Sequence, residues 1–211
     1  MEAIQMRAMD YRVASKINDR GPYDVLVTES MSVAGAVSAI VSKIGSHKVS
    51  RLTLISHGYN EIVEGNEVPA YSVSVVLPGP PDVSQPPANF SKVYGGYGLE
   101  FGNDDLSMET APAFGRLDGA FTDGGLIVVF GCAAAGSGPY LNQRLTGDGP
   151  ALMKALARFA GVPVRASDSL QDVKFNFYLG TADRGPWNGR TFLFMPDGRQ
   201  IDESKLPMSV Y

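Results

Sequence analysis

The stretch 124–136, GGLIVVFGCAAAG, limits the fold more than any other part of the chain. Five consecutive apolar residues, 126–130, lie between glycines and run into Cys132, the single cysteine. A short unbroken apolar run bounded by breakers fits a strand covered on both faces, the condition of a parallel sheet with helices packed on either side. Cys132 then falls at the carboxyl end of that strand, the edge at which open α/β sheets place their sites.

Other segments supply partners for such a strand. Residues 23–28 (YDVLVT) read as a strand. Residues 32–44 set Val33, Ala36, Val37, Ile40, Val41 and Ile44 on one helical face, with Ser30 or Ser32 as cap and Gly45 as stop. Residues 49–56 (VSRLTLIS) form the next strand and lead into His57 and Gly58. Strand, helix and strand make a βαβ unit, whose crossover renders the two strands parallel. The first 20 residues carry only a weak pattern and read as an irregular helix.

Further on, 99–102 (LEFG) read as a short strand and 110–117 as a helix. Pro150 suits the first turn of a helix whose apolar face is Leu152, Met153, Leu156, Phe159 and Ala160, ended by Gly161. Residues 162–166 (VPVRA) form a strand that delivers Ser167 and Asp168. Strands are expected at 175–179 and 190–195, the latter turning at Pro196, Asp197 and Gly198 into a hairpin closed by 199–201. At 211 residues the chain suffices for one well-buried core. The expectation is therefore a single α/β domain over 1–211, with a mostly parallel central sheet flanked by helices and a C-terminal β-hairpin.

Residues 59–98 interrupt this alternation. Five prolines between Pro78 and Pro87 forbid regular pairing, whereas 71–77 (YSVSVVL) alternate like a strand, so the insertion is expected to carry a small hairpin. Long insertions of this kind serve as lids or binding loops, which makes 59–98 the expected surface for any protein partner. The YGGYG at 94–98 reads as a glycine-rich turn with two surface tyrosines.

Charge narrows the partners. A formal charge of −4 and a pI near 5.2, with basic residues unclustered, leave no footprint for nucleic acid. No apolar stretch reaches the roughly 20 residues needed to span a bilayer. The first 21 residues are broken by charges too often for a signal-peptide core, and one cysteine precludes an internal disulfide. A cytoplasmic location, or export without a classical signal peptide, is expected. Asp104, Asp105, Glu109, Asp118 and Asp123 are scattered without ligand spacing and read as solvated surface, so neither metal nor cofactor is expected.

Three strands end in chemically useful residues: SHG at 56–58, GC at 131–132 and SD at 167–168. In a parallel sheet these ends share one edge. A thiol attacks carbonyls as thiolate, and an imidazole both takes its proton and donates one to the leaving group. Glycine beside each, Gly58 and Gly131, lets backbone approach a substrate, and amides at such turns can form an oxyanion hole. Asp168 at the third end can pair with a basic substrate side chain. Each has a plainer alternative: Cys132 as a small core residue, His57 as a turn residue, Asp168 as the cap of a helix from Ser169. His47, between Ser46 and Lys48, reads as solvated.

The order LTLISHG, LEFG, GGLIVVFGCAAAG and ALMKALARFAGVPVRASD resembles the caspase-like cysteine peptidase superfamily of caspases, gingipains, separases and legumains. It is most similar to bacterial caspase-like domains with SHG and GC strand ends, over roughly residues 50–170. The resemblance implies a caspase-like α/β/α sandwich, a catalytic dyad of His57 and Cys132, and oxyanion donors from the Gly58 and Cys132 amides. It also implies that Asp168, with Ser167, lines a pocket for the basic residue preceding the cleaved bond. Two departures accompany it: the His and Cys strands are separated by the long 59–98 insertion, and Cys132 is followed by three alanines instead of acidic neighbours. The expected activity is that of a cysteine endopeptidase cleaving after Arg or Lys in peptide or protein substrates, with self-cleavage near Arg144 as an activation route. The alternatives are an inactive scaffold of the same fold that engages a protein partner, and a small-molecule acyl hydrolase.

Overall fold

Alternation and capping account for most elements of the computed structural model, which describes residues 3–14, 17, 20–59, 61–64, 90–94, 96–139, 146–169, 171, 187 and 189–205. Ile4, Met6 and Ala8 alternate with polar residues and are buried in strand β1 (Ala3–Asp10), which continues into a single helical turn, α1 (Tyr11–Ala14). Strand β2 (Asp24–Val27) is followed by α2 (Val33–Ile44), where the Ser32 hydroxyl accepts from the Gly35 amide at 3.0 Å and Gly45, at φ 57°, closes the helix. Strand β3 (Lys48–Ile55) then leads to the insertion, of which β4 (Glu61–Glu64) and β5 (Phe90–Tyr94) are described and pair antiparallel. A 3-10 helix (Ala111–Leu117) precedes β6 (Phe121–Phe130).

Beyond β6, β7 (Ser137–Pro139) and β8 (Thr146–Asp148) form a small antiparallel pair. Asp148 caps α3 (Gly149–Ala160) by accepting from the Ala151 amide at 2.9 Å, with Pro150 in the first turn and Gly161 left-handed at the end. Strand β9 (Val164–Ser167) and the hairpin of β10 (Thr191–Phe194) and β11 (Gln200–Asp202) complete the fold.

Seven strands form the central sheet in the order β11-β10-β9-β6-β3-β1-β2. The run from β2 to β9 is parallel, while β10 and β11 join antiparallel. Helices α2, α3 and the 3-10 helix pack on one face over Leu52, Leu54, Ile127 and Val129. The opposite face carries a smaller cluster of Met9, Val13, Ala14, Ile17, Ile55 and Phe130 with Trp187. No helix among the described residues is long and apolar enough to cross a membrane.

The α/β class, the mostly parallel sheet flanked by helices and the terminal hairpin agree with the sequence. Four expectations need correction. The first residues are not a helix: β1 is an interior strand that separates β2 from β3, so the βαβ strands are parallel without being neighbours. Residues 99–102 form only isolated bridges, with Leu99 facing Gly58 and Leu106. Phe159 is exposed, and Ala157 takes its place on the buried face of α3. Gly96 of the YGGYG stretch is buried, at φ 79°, where a Cβ would overlap the Gly136 carbonyl oxygen and the Gly149 amide nitrogen, so this turn docks against the start of α3. The expected strands at 71–77 and 175–179, the proline-rich stretch and Arg144 lie outside the described residues.

Candidate active site

Strand register decides what meets at the carboxyl edge of the sheet. Ile55 of β3 pairs with Phe130 of β6, and the Ser56 amide donates to the Phe130 carbonyl at 3.2 Å. His57 and Cys132 each stand two residues beyond that paired position, on neighbouring parallel strands. The approach is close: a Cβ on Gly58 would overlap the Cys132 carbonyl oxygen and lie 2.9 Å from its carbonyl carbon and 3.0 Å from its nitrogen. Position 58 must therefore be glycine for the two turns to touch. One step back the packing is also close, but against a side chain: a Cβ on Gly131 would meet a Leu99 methyl at 2.6 Å.

The His57 turn is fixed from its other side. The Glu100 amide donates to the His57 carbonyl at 2.8 Å and the Tyr59 amide to the Gly98 carbonyl at 3.1 Å. These bonds frame the Gly58–Leu99 bridge and turn the Gly58 amide away from that pairing. His57 is half-buried, on the β3 position that alternates with the buried Ser56.

The Cys132 turn has a conformational signature. Ala133 has φ 49°, in the left-handed region that non-glycine residues seldom enter. Its amide donates to the Ser169 carbonyl at 2.8 Å, and the Ala135 amide donates to the Ser167 carbonyl at 2.9 Å. These two bonds tie the turn after β6 to the end of β9, with the chain there running opposite to β9. The half-buried Cys132 thiol donates to the Gln171 carbonyl oxygen at 3.7 Å. The thiol thus lies against the segment that follows Asp168.

Asp168 is already engaged. Its Oδ2 accepts from Arg190 Nε at 2.9 Å and Nη2 at 2.8 Å, and its Oδ1 accepts from the Arg190 amide at 2.9 Å. It caps no helix among the described residues. Ser167 is buried, and its hydroxyl accepts from the Ser169 amide at 3.2 Å, shaping the turn that presents Asp168. The structure thus brings together all three strand ends: His57 with Gly58, Cys132, and Ser167 with Asp168. His47 lies apart at the start of β3, its ring edge-on to Tyr23 with centroids 5.6 Å apart.

Sequence reasoning did not single out the charged network behind the His57 turn. Buried Asp10, at the end of β1, accepts from Arg12 Nη1 at 3.2 Å and from the Gly102 amide at 2.9 Å. Arg12 Nε lies 3.5 Å from the Glu100 carboxylate, and the Tyr59 hydroxyl donates to Asp105 at 2.8 Å. Burial raises the Glu100 pKa against the pull of Arg12, and Asp10 and Asp105 add to the rise. Burial works against the Arg12 charge, yet Asp10 and Glu100 outweigh it and raise that pKa as well. Burial, with the bond to Asp105, also holds the Tyr59 hydroxyl protonated well above its usual range. The available signal was Asp10 itself, a carboxylate ending an alternating apolar run. Among the described residues no group of three or more His, Cys, Asp or Glu is arranged to hold a metal.

No family model, curated protein or solved structure matches the chain.

Proposed function

We propose that the protein is a cysteine endopeptidase of caspase-like fold that cleaves after Arg or Lys. The observation that supports this reading above all others is the shared register of His57 and Cys132, with Gly58 pressed against the Cys132 backbone. A histidine and a cysteine carried in register on neighbouring strand ends, at a crowded glycine turn, are the residue types that covalent acyl transfer needs. In this reading His57 takes the Cys132 proton as the sulfur attacks the scissile carbonyl carbon. The Gly58 and Cys132 amides stabilise the oxyanion. The protonated imidazole then donates to the departing amine, leaving a thioester on Cys132. Water, deprotonated by His57, attacks the thioester, and the carboxylate product and free thiol are released. Asp168 receives the basic side chain that precedes the cleaved bond.

The left-handed Ala133 supports the assignment independently, since backbone strain persists where neighbouring structure enforces it and clusters at functional turns. Cys132→Ala is expected to lower hydrolysis of a peptide with Arg before the scissile bond by at least about a thousandfold, and to abolish labelling by a matching peptide electrophile. An unchanged rate in that variant would sink the reading.

One observation favours a resting or non-catalytic module instead. The thiol is oriented as a donor toward the Gln171 carbonyl, an arrangement that suits the protonated sulfur. Titration of Cys132 by rate of alkylation against pH separates the two: a thiol pKa below the ordinary 8.5 or so supports the peptidase, and a raised one the scaffold.

A further inference from the structure

We propose that Arg190 is an internal stand-in for the substrate's basic side chain, occupying Asp168 until a ligand guanidinium or ammonium displaces it. The inference rests on the reading of Asp168 as the subsite for that side chain. It begins with how the carboxylate is held. Oδ1 is bonded to the Arg190 backbone amide, and the Asp168 amide in turn donates to the Arg190 carbonyl at 3.1 Å. The second bond continues the antiparallel pairing of β9 with β10, in which Ser167 faces Thr191, and the first ties the carboxylate to that same backbone. They fix the carboxylate whatever the Arg190 side chain does. Oδ2, by contrast, is taken among the described residues by the guanidinium alone, through Nε and Nη2.

The guanidinium is the exchangeable half of the pair. The Arg190 side chain is 66% exposed, whereas Asp168 is 19% exposed. An exposed ion pair contributes little, because water and salt compete for the cation. While paired with Asp168 the guanidinium also adjoins an aromatic ring: its carbon lies 5.4 Å from the centroid of Phe192, within cation–π range. The adjoining Gly189, at φ 76°, packs so tightly that a Cβ would sit 2.8 Å from Asp168 Oδ1 and overlap the Ser169 Cβ. The backbone of 189–190 is thus clamped, whereas most of the Arg190 side chain faces solvent.

The site is also correctly placed relative to the thiol. Ser169, next to Asp168, holds the Ala133 amide, and Gln171 receives the Cys132 thiol. A cation on Asp168 therefore sits at the strand end adjoining the nucleophile. Arg190 sets a threshold: neutral side chains do not displace it, and cationic ones do so in proportion to how well they replace its two hydrogen bonds.

The test uses agmatine, a guanidinium ligand with no bond to cleave, titrated calorimetrically into the wild-type chain, Arg190→Gln, Arg190→Lys and Asp168→Asn. Removing the internal competitor is expected to tighten agmatine binding by roughly three- to fivefold in Arg190→Gln, the range an exposed pair allows. Arg190→Lys should stay close to wild type, and Asp168→Asn should bind no agmatine. Affinity that is unchanged or weaker in Arg190→Gln overturns the proposal, as does binding that survives Asp168→Asn. Peptide hydrolysis is followed in parallel. Tighter agmatine binding without Cys132-dependent cleavage leaves the internal occupant standing and removes the peptidase; cleavage with no Arg190 effect does the reverse.

Discussion

Two guanidinium–carboxylate pairs sit at the carboxyl edge of the same sheet, and they differ in how far each is exposed to solvent. Arg12 meets Asp10 at the end of β1, where the carboxylate is 0% exposed and the guanidinium 29%. Arg190 meets Asp168 just beyond β9, with both partners more exposed, 66% on the cation and 19% on the carboxylate. Asp10 also accepts from the Gly102 and Arg12 amides, so the first pair ties β1 to the loop that braces His57. The second pair ties little beyond itself. One is a structural joint and the other a removable contact, although the chemistry of the partners is identical.

The largest effect that checks this contrast is on Asp10. Asp10→Ala leaves Arg12 with Glu100 and the Gly102 carbonyl but orphans the Gly102 amide, and should lower stability by about 3 kcal/mol, near the lower end for breaking a buried pair. Urea unfolding measures it; a loss under about 1 kcal/mol would make the two pairs equivalent. Gly58→Ala comes next, because the added methyl has only backbone to displace, and overpacking of this kind removes roughly 1–3 kcal/mol. In Asp168→Asn the same unfolding experiment should show a loss of no more than about 1 kcal/mol.

The pH dependence of the buried network has a definite sign. Glu100 has a folded pKa raised above its unfolded value, so the fold binds its proton more tightly. The associated stability is full below the ordinary carboxylate pKa and is lost as pH rises through the higher folded value. Urea midpoints of wild type relative to Glu100→Gln should therefore fall between acidic and neutral pH; a flat difference would mean that Glu100 is not desolvated. The smallest effect is expected at Ser56, whose buried hydroxyl has no hydrogen-bond partner among the described residues. Ser56→Ala removes an unsatisfied group and should alter stability by under about 1 kcal/mol, in either direction.

Local patterns were legible in the sequence where one period dominated. The helical faces of α2 and α3, their caps, and the apolar run of β6 are each decided by neighbours in the chain, and so was the terminal hairpin. Strand β1 was not, because Gln5, Arg7 and the methionines favour helix locally, and the alternation of Ile4, Met6 and Ala8 prevails only when β2 and β3 flank it. His57 and Cys132 were found through what ended their strands. Arg190 was not, since its partner lies across an antiparallel register that no nearby residue announces.

The left-handed turn at Ala133 has a mechanical consequence. A conformation of that kind is uphill by about 1–3 kcal/mol and is kept in place by its surroundings. Here the restraint comes from the Ser167 and Ser169 carbonyls, the residues on either side of Asp168. The turn that aims the sulfur is consequently a loaded spring whose catch is the neighbouring strand end. A backbone shift at Asp168 pulls on that catch, so in the peptidase reading the basic-residue subsite and the sulfur share one mounting.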